Sequence, residues 1–140
     1  MLSDLFLCRA EDVSELSVSD SPLFEGDSRV KGVELRGLTG LQLSLLWAEI
    51  DKRSHPRAHY DAQARSEPPY ETVLEAFPPE ATQAFAKLSD EEIARISGGL
   101  GQSADFGGRW NEEGLHWLLS SIRDLTKRAD GRVLCLWGSI

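Results

Sequence analysis

The sequence predicts an α+β fold: a small sheet of about three or four strands that includes both ends of the chain, covered on one face by about four helices. Three observations predict it. The chain has 140 residues, 41% of them apolar, enough for one ordinary core and one domain spanning 1–140. Strongly apolar segments stand at both termini, LSDLFLCRA and GRVLCLWGSI, which suggests that the terminal strands lie side by side. Between them run several segments with helical periodicity and no internal repeat, an order that suits helices laid over a small sheet.

Taken in order, Leu2, Leu5, Phe6 and Leu7 make a first strand with apolar residues on both faces, and an acidic segment, AEDVSELSVSDSPLFEGDS, follows it. RVKGVELRG alternates as a second strand, with Val30, Val33 and Leu35 as its apolar members. In LTGLQLSLLWAEIDKR, Thr39 is the expected N-cap, and leucines, Trp47 and Ile50 occupy most of the circumference. A helix so apolar all round is expected at the centre of a domain.

Residues 54–69 lack periodicity and carry three prolines, so they are read as a loop of unusual length. YETVLEAF is expected to be a strand, with Tyr70, Val73 and Phe77 as its apolar members. PPEATQAFAKL is expected to be a helix that opens on proline and buries Ala81, Ala84, Phe85 and Leu88. SDEEIARISGG carries a capping box, Ser89 with Glu92, and Gly98 is its expected stop. Asn111 caps a last helix whose stripe is Leu115, Leu118, Leu119, Ile122 and Leu125.

Composition narrows the function classes. The net charge is −8, and it divides evenly between the two halves of the chain, which excludes the clustered lysine and arginine that nucleic-acid binding needs. No apolar run approaches the roughly 20 residues that cross a bilayer, and the N-terminus lacks a basic, then apolar leader, so a cytoplasmic protein with no membrane partner is expected. Cys8 and Cys135 sit in apolar runs and read as buried packing residues; a disulfide between them would need the terminal strands to pair.

Two clusters are candidate sites. In SHPRAHYDAQARSEPPYE, His55 and His59 stand four residues apart, and Arg53, Arg57 and Arg65 make this the one locally basic segment. A His-x3-His spacing can present two imidazoles to zinc, with Asp51 or Asp61 as an oxygen ligand, but zinc normally takes three or four ligands and Pro56 breaks the helix that would align the pair. No metal and no other cofactor is therefore assigned, and the arginines suit an anion or an acidic partner instead.

The second cluster is on the last helix, where Trp117 falls opposite the leucine stripe, at a position expected to face solvent. With Arg109, Trp110 and His116 it forms a candidate interaction patch, because tryptophan and arginine are over-represented at binding hot spots. The competing expectation is that a neighbouring segment covers both indoles. Trp47 and Trp137 are assigned to the core.

No catalytic residue is assigned. Gly-x-Ser-x-Gly and His-Glu-x-x-His are absent, and Asp105-Phe106-Gly107 stands without the other motifs of a kinase. The sequence is thus read as a small non-enzymatic protein-binding module, an adaptor or an inhibitor of immunity type. The alternative is a small-ligand or metal-dependent enzyme using the histidine loop between Asp51 and Asp61, with His59, Tyr60 and Asp61 as acid/base groups. A homodimer through the aromatic patch is a third expectation.

Overall fold

The computed structural model describes residues 2–51, 63–106 and 110–139. Within them β1 (Leu2–Cys8), β2 (Lys31–Arg36), β3 (Gln63–Arg65), β4 (Thr72–Ala76) and β5 (Val133–Ser139) form one antiparallel sheet in the order β2-β1-β5-β4-β3. The helices are α1 (Gly40–Asp51), α2 (Pro79–Ala86), α3 (Asp90–Leu100) and α4 (Glu112–Thr126). The α+β class and the pairing of the terminal strands stand as expected, with one strand more. The additional strand, β3, is only three residues long and lies inside the stretch expected to be a loop.

The continuous apolar runs of β1 and β5 follow from cover on both faces of the sheet. Alternate residues of a strand point to opposite sides. Leu5, Leu7, Leu134 and Leu136 join the core under the helices, whereas Phe6, Cys8, Val133, Cys135 and Trp137 join a second, smaller core with Leu16, Val18 and Val30. That second cover is the acidic segment after β1, which contains a 3-10 turn, Ala10–Glu15, and is otherwise irregular.

Such a segment has few ladder bonds of its own, and side chains tie it down instead. Arg65 on β3 donates to the carbonyls of Val13, Ser14 and Leu16 at 3.0, 3.0 and 2.6 Å. Arg29 clamps Asp27 and Glu15 at 2.7 and 2.8 Å, and its guanidinium holds the Asp27 carboxyl down at about 2. The Trp137 indole N–H donates to the Val18 carbonyl at 2.7 Å.

On the opposite face α4 packs against α2, α3 and β1. As expected of a helix apolar round most of its circumference, α1 packs on more than one neighbour, against α2 and α3. Leu115, Leu118, Leu119 and Ile122 are fully buried, each contributing about 1.5–3 kcal/mol of apolar burial. Leu41 on α1 is exposed instead, although the sequence counts it among the apolar majority.

Local chemistry explains the helix ends. Thr39 Oγ1 accepts from the Gln42 N–H while the Gln42 side chain accepts from the Thr39 N–H, a capping box in which glutamine does the work of glutamate. Ser89 and Glu92 form the expected box on α3, and Asn111 caps α4 through the Gly114 N–H. Gly98 does not stop α3, which runs on through Gly99 to Leu100. At this helix end the glycine with a structural reason is Gly101, where a β-carbon would stand 2.7 Å from the Glu112 backbone nitrogen; the close approach of the two helix ends needs its missing side chain.

The Glu75 carboxylate lies against Gly40, the first residue of α1, in the space a β-carbon would need. Glu75 is buried, and a helix N-terminus favours an anion. Tyr70 does not join β4 but sits before it at φ +63°, exposed. The Leu134 N–H, beyond the last ladder position of β4, donates to Thr82 Oγ1 of α2 at 3.1 Å, which keeps that buried donor satisfied.

Candidate functional site

The feature that stands out on the surface is a cleft of about 600 Å³ at the end of the sheet where β1 begins and β2 ends. Its size lies within the range of ligand-binding clefts. Sheet register builds the floor: Glu34, Asp4 and Trp137 are consecutive partners across β2, β1 and β5, and therefore form one row on one face. Leu2 and Arg36 are paired on the same face, one step toward the strand ends.

The irregular segment supplies one wall with Asp20, Ser21 and Phe24, and the helical side supplies Trp110 and Trp117. Ser21 donates its hydroxyl to Asp4, which ties that wall to the floor. Trp110 is held by an indole N–H bond to the Gly37 carbonyl at 3.2 Å and is 7% exposed. Trp117, in the second turn of α4, is 54% exposed, and Phe24 is 82% exposed. With Leu2 they account for three of the five large hydrophobic side chains exposed among the described residues, all lining one cleft.

The fate of the sequence candidates differs from one to the next. Trp110 and Trp117 come together at this cleft, Trp110 as a buried wall and Trp117 as its rim. His116 is exposed and lines a second, shallower groove on the other side of Trp117, together with Gln102, Glu112, Glu113 and Ser120. Trp117 is thus the ridge between two hollows. Arg109 lies outside the described residues.

Of the basic loop, Arg53, His55, Arg57 and His59 lie outside the described residues, as do Tyr60 and Asp61 of the alternative acid/base set. Arg65 is described, and its guanidinium is engaged with the three carbonyls of the 13–16 segment. Among the described residues no group of three or more histidine, cysteine or acidic side chains is arranged to hold a metal.

Other members of the cleft were not singled out in the sequence. Trp137 was assigned to the core, and it does pack there at 7% exposure, yet one part of it reaches the cleft floor. Phe24, Leu2, Asp20 and Glu34 carry no local signal, because their meeting depends on sheet register and on the path of an irregular segment. Asp4 does carry one: a carboxylate inside an otherwise apolar strand needs a partner or a purpose.

The cysteines are fully buried and free. The terminal strands pair, but Cys8 is opposite Val133 and Cys135 opposite Phe6, so the thiols are diagonal neighbours. Burial pushes both thiols up, Cys135 most strongly. Among the described residues no helix is long and apolar enough to cross a membrane. No family model matches the chain, and no curated protein or solved structure is significantly similar to it.

Proposed function

We propose that the protein is a small, non-enzymatic, cytoplasmic protein-binding module of adaptor or inhibitor type, and that the tryptophan cleft is its binding surface. One observation carries this reading: Trp117, Phe24 and Leu2 are exposed together around a cleft walled by two further tryptophans. Scattered exposed hydrophobics are ordinary, but a contiguous patch with a polar rim marks an interaction surface. An aromatic ring at the rim of a hollow offers a large contact area for little lost side-chain freedom.

The supports of the cleft also favour binding over chemistry. The Trp110 and Trp137 indoles are fixed by bonds to backbone carbonyls, which pre-orders the walls before any partner arrives. The test is affinity capture from native extract with the immobilised protein, comparing wild type with Trp117→Ala and Phe24→Ala, each checked for native circular dichroism. One partner held by wild type and lost by both folded variants is the expected result. A protein that captures nothing, or the same partner with all three, overturns the reading.

A further inference from the structure

We infer that the tryptophan cleft receives an arginine side chain of the partner protein. This rests on the reading of the cleft as a protein-binding surface, and four features of the cleft select the occupant. Its floor and irregular wall carry three carboxylates, Asp4, Asp20 and Glu34, against one guanidinium, Arg36, which is itself already engaged in an interaction. The hollow is therefore complementary to a cation.

Asp4 and Glu34 are direct partners in the β1–β2 ladder. Side chains at paired positions on one face stand about 5 Å apart at their β-carbons, so the two carboxylates can face one inserted cation together. Trp110 and Trp137, each 7% exposed, have given their N–H groups to carbonyls, and the open indole ring at the hollow is that of Trp117, 54% exposed on its rim. Ring surface beside carboxylates is the environment that a planar guanidinium fits best: it stacks on the indole while its edge forks to oxygen.

The fourth feature is location. The rim residues Phe24 and Trp117 are exposed to the surroundings, where the backbone flanking an inserted side chain would lie, and about 600 Å³ accommodates a side chain with part of that backbone. A nucleic acid is disfavoured by the same carboxylates.

The probe is acetyl-Gly-Arg-Gly-amide, titrated into the full chain labelled with ¹⁵N and followed through the tryptophan indole resonances. Acetyl-Gly-Leu-Gly-amide and acetyl-Gly-Glu-Gly-amide are the comparisons. Assignment of the indole signals uses single Trp→Phe variants. The arginine peptide is expected to shift the Trp117 indole saturably with a dissociation constant on the order of millimolar, at least about tenfold tighter than the leucine peptide, with no saturation by the glutamate peptide. Asp20→Asn/Glu34→Gln, which alters two exposed side chains, is expected to weaken the arginine peptide about threefold to tenfold and to flatten its salt dependence.

Equal shifts by the leucine and arginine peptides, or an arginine affinity unchanged in the double variant, overturn the inference. So does the absence of any shift at about 10 mM peptide. Failure of this inference and failure of the module reading remain separate. A partner captured through Trp117 whose binding ignores Asp20→Asn/Glu34→Gln sinks the arginine and leaves the module, whereas no Trp117-dependent partner removes both.

Discussion

At the residue scale, one buried thiol and one half-buried guanidinium make the fold answerable to simple chemistry. The Cys135 thiol is held above its ordinary value by burial, with a further contribution from Cys8. A raised thiol stabilises the native state fully below the unfolded value, near about pH 8.5, and that contribution is lost as pH rises toward the folded value. The urea midpoint is therefore expected to fall between about pH 8 and about pH 10, and the fall is expected to be smaller in Cys135→Ala. A midpoint flat with pH in wild type contradicts the burial of the thiol.

Arg65 is the second such residue. It serves three carbonyls of a segment that has little structure of its own, so Arg65→Ala is expected to cost about 1–3 kcal/mol in urea unfolding. Arg65→Lys should restore less than half, since an ammonium cannot reach three acceptors as a fork does. Full rescue by lysine would mean that only the charge matters. None of this was legible in the sequence, where Arg65 looked like one more base of a basic loop; its partners lie about fifty positions away, and only the β3–β4 pairing brings it to them.

At the scale of elements, the sequence was most legible where the signal is local. The Ser89–Glu92 capping box, the proline at the start of α2 and the leucine stripe of α4 are each set by residues a few positions apart, and each stands in the structure as expected. The Gly98 stop did not hold, because glycine ends a helix only when the chain needs to turn, and α3 still has contacts to make at Leu100. Strand β3 was missed since three residues give periodicity too little to act on.

The junction of α1 with β4 offers the sharpest test at this scale. On helix propensity alone Gly40→Ala would stabilise by up to about 1 kcal/mol. The new methyl, however, would take the place of the Glu75 carboxylate, and that group is buried. Gly40→Ala is expected to destabilise by about 1–2 kcal/mol in the wild-type background and to be neutral or stabilising in Glu75→Ala. Denaturant unfolding of the four proteins gives the coupling directly, and a coupling near zero contradicts the contact.

For the whole molecule, the consequence of covering both faces of the sheet is that an irregular, acidic segment becomes a structural layer. Its own sequence gives no periodic sign of this. The sheet supplies the anchoring side chains, Trp137 and Arg65, and the segment in return supplies a wall of the cleft. The tryptophans were legible individually, Trp117 from its place opposite the leucine stripe. Their convergence was not, because it depends on register across three strands and on a loop that no local rule describes.

Under the proposed function, Trp117 is exposed for binding and does little for the fold. The most direct measurement is a calorimetric titration of the captured partner into wild type and Trp117→Ala, run beside urea unfolding of both. Stability is expected to change by less than about 0.5 kcal/mol, as for a surface substitution, while the dissociation constant rises at least about thirtyfold, as for a hot spot. Unchanged affinity together with lost stability would contradict the claim and make Trp117 a packing residue.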